Sequence, residues 1–430
     1  MKKLICAALL ASISVIVSAQ SGTNSPYSQY GLGALTDQTS GFNRGMNGLG
    51  LGFHEHNQVN FLNPASYSSL DSLTFIFDAG ISGQITNFKE GNKKINANNA
   101  DFEYAVAGFR AFKHVGVSFG VIPFTNIGYQ YANTQYVDGT KTTTSTNTYY
   151  GSGGIHQVYL GAGWQPFKGF SFGMNASYLW GDYTRSLVNS YSDSYAKTLS
   201  KYYTADVRSY KLDFGLQYEI RFSKKDRLTI GATYGMGHKL GTDPQCQVIS
   251  TEPQTSVSDT TTYKVNNGLE IPDTYSAGFT WNHKNVFKFG FDYNFQKWSS
   301  IDYPQYKVVN NKPEYSLTSG LFKDRHKFTL GAELCPGETS RNFFNRIHYR
   351  AGVSYVTSYL KINGVDGPKE MSASLGFGIP IMNGINNRSI LNISGQWVHM
   401  SANNFITENT FRINIGLTFN ERWFAKWKVE

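Results

Sequence analysis

The densest set of metal-type ligands in the chain is His54-Glu55-His56. Two histidines at i and i+2 supply two ligand nitrogens, and no third Cys, His or Asp partner stands out, so the triplet reads as a polar turn rather than a metal centre. Ser, His and Asp are scattered through the sequence without a Gly-x-Ser-x-Gly elbow or another nucleophile signature, so nothing argues for catalysis. The cysteines are Cys6, Cys246 and Cys335. The formal charge of +9 is spread out, with no cluster denser than Lys93-Lys94 or Ser223-Lys224-Lys225-Asp226. A nucleic-acid surface needs clustered cations, so none is expected. No catalytic residue, metal or cofactor is assigned.

The elements that carry these residues begin with an address. Lys2 and Lys3 precede an apolar run from Leu4 to Val17, and Val17-Ser18-Ala19 places small residues at a cleavage site. This is the pattern of a secretory signal peptide, assigned to residues 1–20 and removed on export. Cys6 lies inside the apolar run, which argues against a lipoprotein anchor. Beyond it no stretch approaches the roughly 18 to 20 apolar residues that a membrane helix needs. Aromatics make up 15% of the chain, with 43 Gly and only 12 Pro, and the mean hydropathy is −0.35. That neutral average is what strands with one apolar and one polar face produce.

Period-two alternation runs from about residue 70 almost to the end and divides into fourteen strands. In the ninth, Phe287, Phe289, Phe291, Tyr293 and Phe295 share one face, and Lys288, Gly290, Asp292, Asn294 and Gln296 the other. In the sixth, Tyr210, Leu212, Phe214, Leu216, Tyr218 and Ile220 alternate with Lys211, Asp213, Gly215, Gln217, Glu219 and Arg221. Several runs exceed ten residues, longer than the five or six typical of globular strands and enough for a tilted membrane crossing. Short turns, at Phe112-Lys113-His114, Pro166-Phe167-Lys168, 223–226 and 282–285, alternate with long polar connections near 132–154, 184–203, 239–269 and 298–322. Short periplasmic turns and long outer loops are the outer-membrane pattern.

The fold class is therefore all-β: a transmembrane antiparallel barrel of about fourteen strands. The divisions are 1–20 signal peptide, 21–69 an irregular Gly- and Asn-rich N-terminal segment, 70–419 barrel and 420–430 periplasmic tail. The chain is placed in the bacterial outer membrane as a multi-pass barrel among outer-membrane lipids, with both termini periplasmic. Cys246 falls in a long outer loop and Cys335 at the opposite rim. Pairing needs Cα atoms within about 7 Å, and the rims stand about 25 Å apart.

The segment ahead of the first strand reads Gly41-Phe42-Asn43-Arg44-Gly45-Met46-Asn47-Gly48-Leu49-Gly50-Leu51-Gly52, then Val59-Asn60-Phe61-Leu62-Asn63-Pro64-Ala65-Ser66-Tyr67. It resembles the long-chain fatty-acid transporter family of outer-membrane barrels (FadL-like), whose N-terminal plug carries an Asn-Pro-Ala motif in this position. Gly120-Val121-Ile122-Pro123-Phe124 and Ile271-Pro272-Asp273-Thr274-Tyr275 are further echoes, and the resemblance covers the mature chain. It implies that residues 21–69 form an N-terminal hatch segment folded into the lumen, marked by Asn63, Pro64 and Ala65. In that family a kink in the third strand opens a side exit to the bilayer. Here Pro123 lies within the third run, where the missing N–H suits an edge or bulge. Pro123 and Phe124 are the candidate lateral gate, or else a bulge that merely curves the wall. An apolar pocket would form where Phe53, Phe61 and Leu62 meet that wall.

Two functions follow. One is passive uptake of a small hydrophobic molecule through a plugged barrel with a lateral opening. The alternative is a non-transporting structural subunit of a larger outer-membrane protein machine, a secretion or barrel-assembly complex, with other outer-membrane proteins as partners. The hatch motif and Pro123 favour uptake, which the sequence places narrowly ahead. The charged inward faces, with Lys211, Asp213, Lys288, Asp292 and Arg412, favour the scaffold.

Overall fold

A computed structural model of the protein describes residues 22–140, 142–381 and 389–421. The signal segment and the C-terminal aromatics Trp423, Phe424 and Trp427 lie outside the described residues.

Fourteen antiparallel strands close into one barrel. They are β1 (Phe75–Glu90), β2 (Lys93–Phe112), β3 (Val115–Tyr136), β4 (Thr144–Phe167), β5 (Phe170–Tyr191), β6 (Thr198–Arg221), β7 (Asp226–Gly235), β8 (Thr274–His283), β9 (Phe287–Gln296), β10 (Arg325–Leu334), β11 (His348–Val356), β12 (Lys369–Ile381), β13 (Ser389–Ser401) and β14 (Thr407–Glu421). Each pairs with its neighbours in sequence, and β14 returns to β1 from Phe75↔Glu421 to Lys89↔Thr407. Closure is obligatory in hydrocarbon, where an open edge would leave N–H and C=O groups without partners.

The faces are inverted relative to a water-soluble protein. Ile81, Leu160, Leu375, Ile413 and Ile415 are exposed on the outside, while Asp78, Glu103, Asn175, Gln217, Lys288, Asp292, Glu333 and Arg350 are buried inside. In β9 the residues Lys288, Gly290 and Asp292 are buried in turn, the side opposite Phe287, Phe289 and Phe291. No described helix is long and apolar enough to cross a membrane. The crossing is made by strands.

Strand lengths are unequal. β7, β8 and β9 have ten residues each, whereas β3 to β6 have 22 to 24. A tilted strand needs about 9 to 11 residues to cross hydrocarbon, so roughly half of each long strand stands clear of the bilayer. The sequence reading gave 132–154 and 184–203 as polar connections, but β3 to β6 run through most of both. Those segments are polar on both sides because both sides meet water, and the alternation that marks a strand is lost there. A hairpin of Gln245–Thr251 and Ser258–Lys264 adds to the top of β6. Another, Tyr303–Val309 with Lys312–Thr318, stands apart from the barrel sheet.

Cys246 and Cys335 are both free and buried. Cys246 lies in the outer hairpin, where burial pushes its thiol up to about 11, so it stays protonated and poorly nucleophilic at neutral pH.

The lipid-facing assignment has a direct test. Ile415, exposed in the middle of β14, should cost about 2 to 4 kcal/mol of folding into lipid vesicles when changed to Arg. The urea dependence of the heat-modifiable gel band measures it, and an unchanged midpoint would show that the face is misassigned.

Candidate functional site

The lumen is the candidate site, and its content is residues 22–70. Three short turns organise this segment: a 3-10 turn at Pro26–Gln29, one helical turn at Gly41–Arg44 and a 3-10 helix at Pro64–Ser69. The Asn-Pro-Ala motif builds the last of them. Asn63 Oδ1 accepts from the Ala65 N–H at 3.2 Å, the ordinary job of an N-cap, and Pro64 follows where no N–H is needed. The Asn63 amide donates to the carbonyls of Leu51 and, on β6, Leu216, both at 3.0 Å. One side chain thus caps its turn and ties it to the wall.

Close approach requires glycine on that wall. Gly116, Gly163, Gly173 and Gly215 pair in one continuous row across β3 to β6. A Cβ on Gly116 would strike the Tyr67 carbonyl, and one on Gly173 would strike the Pro64 carbonyl. Gly352 and Gly376 play the same part on the opposite wall against Met46 and Gly45. Backbone lies on backbone around the barrel, a contact only glycine permits.

Charge fixes the segment further. Arg44 pairs with Glu103 of β2 at 2.8 Å with both side chains buried. Asp37 pairs with Lys327 of β10 at 2.9 Å. Glu55 pairs with Lys288, which also meets Glu333 at 3.0 Å, and Glu333 accepts from Arg350 at 2.7 Å. Asp292 Oδ2 accepts from the N–H groups of Gly50 and Leu51 at 2.7 and 2.9 Å. Lys211 pairs with Asp213 on the same strand, and Arg412 donates to Gln84 at 2.9 Å. The charged inward positions are thus joined to one another or to the N-terminal segment. In the His54-Glu55-His56 turn the side chains diverge: His54 meets Gln217, Glu55 meets Lys288 and His56 meets Asp71.

The wall itself is interrupted at the candidate gate. The β2–β3 ladder ends at Ala105↔Val121, and from Ile122 onward β3 has no β2 partner. Phe124 is the extra residue of a bulge between Pro123↔His156 and Thr125↔Ile155 in the β3–β4 ladder, the setting in which a strand tolerates proline. Residues of the N-terminal segment occupy the vacant edge. Ala34 and Leu35 pair with Asn126 and Thr125, and Thr36 N–H donates to the Phe124 carbonyl at 3.2 Å. The Pro123 carbonyl accepts from Thr36 Oγ1 at 2.6 Å and Gln38 Nε2 at 2.7 Å. Asn24 reaches the Asn98 carbonyl on the β2 side at 3.2 Å.

Two cavities of about 200 and 190 Å³ border Leu35–Asp37. Phe61, Leu62 and Phe124 line the first together with Lys211, Asp292 and Lys327. Phe53 lies apart, packed edge-on to Phe42 at 5.8 Å. Above both cavities the outer segments fold inward. Arg185 and Tyr303 each donate to the Gly31 carbonyl at 2.7 Å, and Tyr359 donates to that of Gly33 at 2.9 Å. Trp298, Phe322 and Tyr359 pack over the same turn with Leu32 and Tyr27. These latch residues and the Arg44–Glu103 pair went unassigned in the sequence, because nothing in one chain's spacing says which distant strands will face each other.

The whole chain, residues 1–430, matches the family model described as BamG. The chain belongs to the BamG family. No curated protein matches it. Among solved structures it is similar to the toluene transporter TbuX of Ralstonia pickettii, with a TM-score of 0.61 at 15% identity over 89% of this chain and 98% of that one. The toluene transporter TodX of Pseudomonas putida gives 0.61 at 11%, over 92% and 100%. A FadL homologue of Pseudomonas aeruginosa gives 0.61 at 10%, over 90% and 99%. At such identities the likeness is one of fold. BamG-family membership and a FadL-like barrel fold are therefore both properties of this chain.

Breaking the Arg44–Glu103 pair leaves a buried carboxylate without its cation. Arg44→Met should cost about 3 to 5 kcal/mol of stability, read as a shift of the denaturant midpoint in detergent, and Arg44→Met/Glu103→Leu should recover much of it. A neutral single substitution would show that the pair does not hold the segment.

Proposed function

We propose that this protein is a non-transporting structural subunit of a larger outer-membrane protein machine. The observation that carries this reading is the filled lumen: residues 22–70 lie backbone to backbone on wall glycines, are ion-paired to β2, β9 and β10, and are latched from above by Arg185, Tyr303 and Tyr359. Removing such a segment would expose several buried charges at once. On this reading residues 21–69 are a permanent hatch, 70–419 the membrane anchor, and 420–430 a periplasmic tail. Both chain termini then face the periplasm, the tall β3 to β6 wall stands outside, and the signal at 1–20 is gone.

A second reading, passive uptake of a small hydrophobic molecule with a lateral opening at Pro123 and Phe124, is favoured by the interrupted β2–β3 ladder and by the cavity at Phe61, Leu62 and Phe124. TodX and TbuX, titled toluene transporters, have this fold. The cavity of about 200 Å³ is smaller than the usual 300 to 1,000 Å³ of ligand sites, and the vacant strand edge is bonded to Ala34–Gln38.

Purification from native membranes in mild detergent, with mass spectrometry of proteins and lipids, separates the two. A stoichiometric outer-membrane protein partner is the expected result. A partner-free barrel carrying a hydrophobic molecule, together with uptake of labelled toluene into proteoliposomes that falls in Pro123→Ala, would overturn the scaffold and establish the gate.

A further inference from the structure

The connection from β10 to β11 brings together three side chains, of which His348 alone touches the lumen charge network, through Glu333. Glu333 pairs with Arg350 and Leu334 with Tyr349, so one step further Cys335 faces His348. Alternation puts Cys335 and His348 on the side of Glu333 and Arg350, facing inward. The turn is held by Cys335 N–H donating to the Val286 carbonyl and Gly337 N–H to that of Asn345, both at 2.8 Å. It carries Glu338 back over the pair. The Cys335 sulfur, a Glu338 carboxylate oxygen and a His348 ring nitrogen all lie within 4.8 Å of one another.

Two of the three are almost wholly buried, Cys335 at 2% and His348 at 6% exposure, and Glu338 is exposed. His348 Nδ1 makes no hydrogen bond. Its nearest carboxylate oxygen, Glu333 Oε1 at 3.4 Å, is misaligned and already committed to Lys288. The Cys335 thiol lies against the His348 ring and makes long contacts of 3.9 Å to the carbonyls of Asn345 and Arg346. A buried imidazole nitrogen whose carboxylate contact is off-line, beside a thiol with no short hydrogen bond, calls for an explanation.

We infer that Cys335, Glu338 and His348 form a binding site for one divalent metal ion of the zinc class. Thiolate, imidazole and carboxylate are the ligands of that class, at about 2.0 to 2.3 Å from the ion, with a fourth position left for water. From atoms within 4.8 Å of one another, convergence on one ion needs side-chain adjustment only. Binding takes the thiol proton and the proton that His348 holds beside Glu333, both of which leave to solvent, so a neutral imidazole, one thiolate and one carboxylate meet the ion's two charges. Lys288 and Arg350 do not oppose it, because Glu333 and Glu55 neutralise them. The ion would clamp the turn that joins β10 to β11 at the barrel end bearing the short turns. Spacing alone could have flagged it: a Cys-x-x-Glu run ten residues ahead of a His, across a turn between adjacent strands.

Cobalt(II) titrated into the purified full chain in detergent tests this. One equivalent should bind with a thiolate-to-cobalt charge-transfer band, displaced by Zn²⁺. Glu338→Gln, at an exposed position, should weaken binding by at least about 10-fold. Cys335→Ser should abolish the band and Cys246→Ser leave it intact, with the heat-modifiable gel band confirming a folded barrel in each variant. A folded wild-type chain that shows no charge-transfer band, or one whose band survives Cys335→Ser, would overturn the site.

Discussion

A barrel of fourteen strands is too wide for its own side chains to fill, and the rest of this structure depends on how that space is occupied. Water would be the simplest filler and would make a pore. Here the filler is the chain's own N-terminal segment, and its presence changes the chemistry required of the wall. Inward residues that would be solvated in a pore become buried, so each charge must find a specific partner. Glu103 finds Arg44, Lys327 finds Asp37, and Asp292 finds two backbone N–H groups. Where the segment presses closest, the wall has no side chain at all.

The same occupation accounts for the unusual third strand. Without a β2 partner beyond Val121, β3 would leave backbone groups bare in the outer half of the wall, which a membrane does not tolerate. Ala34–Leu35 and the side chains of Thr36 and Gln38 satisfy part of that edge. The segment therefore acts as filler and as a length of wall. Pro123 and the bulge at Phe124 lie where the segment bonds to the strand. Proline, bulge and N-terminal segment are one arrangement, and none of them alone indicates passage.

Legibility of this fold from sequence followed the membrane. Inside hydrocarbon a strand must show lipid one face and the lumen the other, so β9 could be read to the residue. Above the bilayer that pressure vanishes. The upper halves of β3 to β6, rich in Ser, Thr, Asn and Tyr, read as loops although their ladders continue to Tyr136↔Thr144 and Ser145↔Tyr191. In the lumen, Asn63 and Pro64 were legible because capping is local. Arg44 with Glu103, and Gly31 with Arg185 and Tyr303, join residues 59 to 272 positions apart, and no single-sequence pattern records such pairs. Cys335 and His348 sit between these cases, since the register of two adjacent strands already places them opposite each other.

TodX and TbuX carry the titles of toluene transporters, and this chain shares their fold. What a passage would need is a hatch that yields at low cost. The bonds found here run the other way: buried ion pairs are expensive to break from one side, and backbone seated on glycine has no side chain that could rotate aside. The latch from Arg185, Tyr303 and Tyr359 holds the segment at the end of the lumen away from the short turns. A FadL-like barrel built this way keeps its shape, and its tall wall at β3 to β6, absent over the ten-residue strands β7 to β9, stands on the side of that latch.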